Sequence, residues 1–318
     1  MRAYLIWNPM AGQRDARRQI EEALQVLKSA GWSIGWLEMA EHDDGFSLGR
    51  LAVENGVQVV IAAGGDGTVG SIAGGLVGSD VALAVFPVGT GNTWAKTLGY
   101  PAWVPPYRNP LLDVASGLLD ATVRLIDVGQ ANGRYFLQWA GVGFDATIAR
   151  EVEPLRDMRH RLGNLPYVVT SLSLAFSFRG TWARITADGQ RGRARMVMAL
   201  VSNAQLYGGG LFRLAPHALL DDGYLDLYVF RGQGAVATWR HFFTILTQYR
   251  VPDPGLRYHK ARRIEIHTRR PMAVHLDGEP YGETPLLIDI VPQALKVLVP
   301  PTAPASLFCR PGTAVQVY

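Results

Sequence analysis

A chain of 318 residues with 48% hydrophobic residues and a net charge of +4 has room for one large or two ordinary domains with real cores, and is too mildly charged to single out nucleic acid as a partner. Its single cysteine, Cys309, excludes an internal disulfide and argues against cysteine-based redox or metal chemistry. No run approaches the roughly 20 apolar residues of a membrane span and Met1–Gly12 has no leader pattern, so the expected compartment is the cytoplasm.

The first third repeats one unit: a short apolar strand, a glycine-bearing loop, then a helix. Strand Ala3–Trp7 leads into Asn8-Pro9-Met10-Ala11-Gly12, and the next helix spaces Ile20, Leu24 and Leu27 on one face. Strand Ser33–Met39 and a helix over Leu48–Asn55 follow. Val57–Ala63 is a continuous apolar run, as a parallel strand buried on both faces requires. It feeds Gly64-Gly65-Asp66-Gly67-Thr68 and a helix of small residues ending at Leu76. Strand Val81–Phe86 feeds Pro87-Val88-Gly89-Thr90-Gly91-Asn92 and a helix over Thr93–Leu98. Strands alternating with helices imply a parallel sheet covered by helices.

The texture changes after the proline-rich stretch Tyr100–Pro110 and a short helix, Leu111–Gly117. Val123–Val128 and Tyr135–Ala140 flank Asn132-Gly133, a strong hairpin signal. Thr181–Ala187 and Ala194–Ser202 flank Asp188-Gly189 in the same way. Leu225–Phe230, Arg263–Thr268, Met272–Leu276, Leu286–Val291 and Leu295–Val299 extend the β-rich set, with helices near Ala146–Ser177 and Ala235–Tyr249. The expected architecture is α/β plus β. Residues 1–120 form a parallel nucleotide-binding domain, 121–300 an antiparallel β-sandwich, and 301–318 a tail that packs back on the first domain.

Ligands of open α/β sheets bind outside the carboxyl ends of the strands. Three glycine-rich loops stand at such ends: Asn8–Gly12, Gly64–Thr68 and Gly89–Asn92. Each lets backbone N–H groups approach a polyanion, helped by the following helix dipole. A tight turn explains any one of them equally well. Asp66 is the sharp feature, because a carboxylate in a phosphate loop repels its ligand unless Mg²⁺ lies between them. Its plainer use is as a helix cap.

The loop GGDGT at Gly64–Thr68, with NPxxG at Asn8–Gly12 and PxGTxN at Pro87–Asn92, resembles the nucleotide motifs of the diacylglycerol kinase catalytic-domain family, which includes sphingosine and ceramide kinases. GGDG alone is shared with NAD kinases and phosphofructokinases; the ordered set is more specific. Gly141–Ala146, Tyr207–Gly210, Asp222–Asp226 and Asp277-Gly278-Glu279 carry the resemblance through to about Pro300.

The resemblance implies an NAD kinase-like first domain and an ATP- and Mg²⁺-dependent lipid kinase. Asn8, Pro9, Gly12, Gly64, Gly65, Asp66, Gly67, Thr68, Ser71, Gly89, Thr90 and Asn92 would hold the nucleotide. Asp277 would be the general base, and Glu279 would assist it or hold the catalytic metal. Asp222, with the carbonyls of Leu219 and Tyr224, would bind a structural Mg²⁺, and Asp145 would lie near the lipid head group. As turn dipeptides, Asp277-Gly278 and Asp222-Gly223 also have a plain structural reading. Two positions depart from the family pattern: Gly70 and Ser71 replace an Asn-Glu pair, and Thr93 replaces an Asp.

A lipid alcohol at a membrane surface is the expected partner, with peripheral contact at the inner face, no nucleic acid, and homodimerisation left open. The segment Ile148–Phe178, where Arg156, Arg159, His160 and Arg161 accompany apolar residues, is the expected contact, although a packed helix with a charged outer face reads the same way. An NAD kinase-like enzyme with a soluble acceptor and a non-catalytic nucleotide or lipid binder are the alternatives.

Overall fold

A computed structural model describes residues 1–12, 16–40, 42–100, 109–152, 170, 173–247 and 253–314. β1 (Arg2–Trp7), α1 (Ala16–Ser29), β2 (Ser33–Glu38), α2 (Gly45–Glu54), β3 (Val59–Gly64), α3 (Asp66–Leu76), β4 (Ala82–Pro87), α4 (Thr93–Thr97) and α5 (Pro110–Leu119) follow the alternation read from the sequence. The four strands are parallel in the order β4-β3-β1-β2. β3 and β4 are buried along their whole length, and α1 turns Ile20, Ala23, Leu24 and Leu27 inward.

The rest of the chain is β5 (Thr122–Ala131), β6 (Arg134–Phe136), β7 (Trp139–Gly143), α6 (Phe144–Val152), β8 (Thr181–Ala187), β9 (Gln190–Ser202), β10 (Leu206–Tyr207), β11 (Phe212–Arg213), β12 (Leu225–Arg231), α7 (Gly234–Leu246), β13 (Leu256–Ala261), β14 (Arg263–Thr268), β15 (Ala273–Leu276), β16 (Glu279–Glu283), β17 (Leu286–Val299) and β18 (Thr313–Ala314). Pairings within this set are antiparallel. One apolar cluster, with Met196, Val201, Leu227, Ile264 and Ile288, fills the sandwich. A second, with Phe144, Ile148, Leu200, Phe230 and Ala237, packs where α6 and α7 contribute.

Two differences from the sequence reading matter for the site. The segments Leu286–Val291 and Leu295–Val299 are one strand, β17, with an irregularity between Val291 and Leu295. It pairs with β14 at one end and runs parallel to β4 at the other, through Lys296 opposite Ala82 and Val297 opposite Leu83. Ile126, Val128, Leu295, Val297, Leu298 and Val299 therefore belong to the same core as β1, β3 and β4, so the apolar core does not divide at Ala121. The second difference is the expected strand Tyr135–Ala140. It breaks into β6 and β7 because the N–H groups of Leu137 and Gln138 turn away to a carboxylate.

In the tail, Leu307 joins the first core, and the N–H groups of Cys309 and Arg310 bind Asp221. Most of the expected membrane-contact segment, with Arg156, Arg159, His160 and Arg161, lies outside the described residues.

Candidate active site

The three glycine loops meet at the carboxyl edge of the parallel sheet. Asn8 Nδ2 donates to Thr68 Oγ1 at 3.0 Å, and Asn8 Oδ1 accepts from Met10 N at 2.9 Å. Asn92, at φ +50°, folds its own loop by accepting from Gly89 N and donating to Gly89 O and Pro87 O. Gly65 and Gly89 face each other so closely that a side chain on Gly89 would collide with Gly65 Cα. Thr90 is exposed at the rim. Gly65 is the N-cap of α3 and supplies no side chain, so the first N–H groups of that helix point outward uncapped. An open helix N-terminus between glycine loops suits phosphate.

Asp66 lies in the first turn of α3 but caps a different helix. Its two oxygens accept from Thr93 N at 3.0 Å and Trp94 N at 2.9 Å, which fixes the start of α4. Thr93, the position without the family's acid, thus contributes a backbone donor to Asp66. Gln138 Nε2 reaches the same carboxylate at 3.3 Å.

Asp277 arrives from the other half of the molecule. It sits with Gly278 in a two-residue turn between β15 and β16, at φ +51° and +89°, a hairpin conformation that Asp tolerates and Gly favours. Its carboxylate accepts three backbone N–H groups: Leu137 at 2.8 Å on Oδ2, with Gln138 at 2.8 Å and Trp139 at 2.9 Å on Oδ1. Burial outweighs these donors, and with the charge of Asp66 it pushes the Asp277 pKa up to about 6. Oδ2 faces α3 at Gly70, where even a Cβ would lie 3.3 Å away. Glu279 binds Arg134 at 2.9 Å and reaches Gly67, where any side chain would strike its Oε1.

A cleft of about 410 Å³ runs between these parts, lined by Gly67, Gly70 and Ser71 of α3, by Asp277 and Glu279, and by Arg134 and Asp44 among others. Asp44, the N-cap of α2, binds Ser71 Oγ at 3.0 Å. Sequence reasoning missed Asp44, Arg134 and Gln138. The only local signal was that Gln138 stands among apolar neighbours where a buried amide demands partners.

Two of the expected sites lie elsewhere. Asp145 is buried under the β15–β16 turn, bonded to His275 Nε2, and does not line the cleft. Burial opposes its charge, yet His275 and Tyr207 hold its pKa below the usual carboxylate range. His275 Nδ1 in turn accepts from Gly278 N at 3.2 Å. Asp222 accepts from Tyr224 N at 3.0 Å and pairs with Lys260 Nζ. Burial works against that ammonium, but the Asp222 bond and the charges of Asp226 and Asp222 raise its pKa. The structural Mg²⁺ expected at Leu219, Asp222 and Tyr224 thus finds a resident cation on its one carboxylate. Among the described residues no group of three His, Cys, Asp or Glu is arranged for a metal.

A parallel sheet whose open helix end suits phosphate, faced by a half-buried carboxylate from an antiparallel sandwich, fits a phosphotransferase. Comparison with known proteins agrees. Residues 2–131 match the family described as diacylglycerol kinase catalytic domain, and residues 139–299 match the YegS C-terminal NAD kinase beta sandwich-like domain. A diacylglycerol kinase of Bacillus subtilis is 30% identical over 286 residues, 89% of this chain and 91% of that protein. A Chromohalobacter salexigens protein named "Probable lipid kinase YegS-like" is 31% identical over 92% of this chain and 93% of its own length. A crystal structure of a candidate diacylglycerol kinase from Bacillus anthracis superposes with a TM-score of 0.77 at 26% identity, covering 95% of this chain and 98% of that one. The chain belongs to the diacylglycerol kinase family.

Proposed function

We propose that this protein transfers the γ-phosphoryl group of ATP to the hydroxyl of a diacylglycerol-like or sphingoid lipid, at the inner face of a membrane. The observation that carries the reading is the meeting of Asp277 with α3: a carboxylate of raised pKa facing a glycine-lined helix end.

In this reading the N–H groups at the start of α3 and the loops Asn8–Gly12 and Gly89–Asn92 hold the phosphates. Asp277 Oδ2 carries one backbone donor and retains a lone pair for the acceptor hydroxyl. As the lipid oxygen bonds to phosphorus and the bond to the ADP oxygen breaks, Asp277 takes the hydroxyl proton. Glu279 and Arg134, bonded to each other, line the cleft beside this point. Mg²⁺, when bound, supplies positive charge on the phosphates. Hard oxygen ligands suit it, and Gln138 Oε1 is buried beside Asp66 without a hydrogen-bond donor among the described residues.

The test is transfer of labelled γ-phosphate from Mg-ATP in mixed micelles offering diacylglycerol, monoacylglycerol, sphingosine or ceramide, beside a micelle-free tube with NAD. Label in one lipid supports the reading. Label in NAD alone overturns the acceptor, and nucleotide binding without any product makes the chain a binder only.

A further inference from the structure

The outer face of the β8–β9 hairpin has no part in the chemistry above. β8 sets Trp182 opposite Arg195, Arg184 opposite Arg193 and Thr186 opposite Arg191. Directly opposed residues share one face of a sheet. β14 extends the row by placing His267 beside Arg184. Trp182, Arg184, Arg191, Arg193, Arg195 and His267 are exposed, while Ala183 and Met196, pointing the other way, are buried in the sandwich.

Like charges set opposite each other weaken a sheet. Here Arg184 faces Arg193, with Arg191 and Arg195 on either side along β9. None of the four has a carboxylate partner among the described residues. Glu265 and Asp289, on the neighbouring strands, are both taken by Arg263. Arg193 instead lies 5.1 Å over the Trp182 ring. The hairpin thus holds four guanidinium groups and an indole on one face, with no carboxylate to meet their charge among the described residues. A row of cations spread along two strands matches an extended array of phosphates, whereas the hollow at its edge, lined by Thr186, Gly189, Arg191, Arg263 and Glu265, already holds a carboxylate paired with Arg263 and suits a single small anion less well. A second copy of the chain related by a twofold axis would oppose arginine to arginine.

We propose that the β8–β9 face seats the protein on an anionic lipid bilayer, with Trp182 at head-group level and Arg184, Arg191, Arg193 and Arg195 on lipid phosphates. The choice of a bilayer over another polyanion rests on the lipid-kinase reading. An indole is also at home at a lipid–water interface. The face is remote from the site of transfer. Arg195 stands seven residues along β9 from Ser202, which pairs with the Trp139 that binds Asp277. That is about 23 Å of strand.

The experiment is sedimentation of the full chain with vesicles of phosphatidylcholine alone, or with phosphatidylglycerol added, and with a DNA duplex in a separate arm. The wild type should bind the anionic vesicles and release as salt rises. R184Q/R191Q/R193Q should lose about a hundredfold in vesicle affinity, at roughly fivefold for each arginine near the surface. W182A should lose affinity with its salt dependence unchanged. Phosphorylation of a short-chain lipid dispersed below its micellar concentration should be the same in all variants. Equal vesicle binding by the wild type and the triple variant overturns the proposal, as does binding to the duplex in preference to vesicles. Sedimentation needs no turnover. A chain that docks through these arginines but phosphorylates no lipid would sink the kinase reading and keep the docking face.

Discussion

Two hairpins of this chain turn on the same dipeptide. Asp188-Gly189 and Asp277-Gly278 both adopt positive φ at both positions, and both carboxylates accept backbone N–H groups from neighbouring segments. Asp188 does so in solvent, bonded to Arg262 N and Arg263 N, and its turn faces no part of the candidate site. Asp277 does so against the glycines of α3, where burial and the charge of Asp66 push its pKa up to about 6. The dipeptide sets the turn, and what lies opposite sets the chemistry.

Asp277→Asn separates the two hairpins most strongly. It keeps the shape and removes the proton acceptor proposed above, so kcat for lipid phosphorylation should fall by about 10²–10⁴-fold. The matching Asp188→Asn should stay within about twofold, as surface changes do. Similar losses in both would mean that the turns matter only as scaffolding. The pH profile sharpens this. The base works ionised, so kcat should decline as pH drops through about 6. That limb should survive in Asp188→Asn; a flat profile down to pH near 4 would remove Asp277 from the base role.

Glycines extend the comparison at a smaller scale. Gly67→Ala drives a methyl into Glu279 Oε1, the movable end of a side chain. It should cost about tenfold in kcat with little change in Tm, since Ala favours a helix. Gly189→Ala meets open space but sits at φ +82°. It should lower stability by about 1 kcal/mol and leave kcat alone. Interchanged effects would place Glu279 outside the working site.

Another Asp-Gly pair, Asp222-Gly223, gives a further test. Lys260→Met should destabilise the fold by about 1–3 kcal/mol by stranding a largely buried carboxylate. The wild-type Tm should ignore a chelator, and the variant should gain Tm with added Mg²⁺. A wild-type Tm that falls with chelator would return the metal to this loop.

The parallel sheet was legible because its signals are local: apolar runs, glycine loops and helical spacing lie within a few residues of one another. Asp66 stands out as a carboxylate in a glycine loop, and Asp277 and Glu279 are singled out by motif resemblance, but the partners these residues have in the fold are not legible. That Asp66 caps α4, that Asp44 reaches Ser71, and that Lys260 answers Asp222 are contacts between distant segments, invisible to periodicity. β17 escaped for a related reason. The polar Gln293 at φ +49° looks like a turn between two strands, yet its N–H is held by the buried Asp127 and the chain runs on.

That continuous strand orders events during synthesis. The outer edge of β4 is completed by Lys296 and Val297, which leave the ribosome about two hundred residues later. Until then the nascent parallel sheet presents an open, apolar strand edge, the kind of template on which chains aggregate. The parallel half is therefore completed only once the chain has emerged as far as Val297, and a fragment ending near residue 120 would carry that edge permanently exposed.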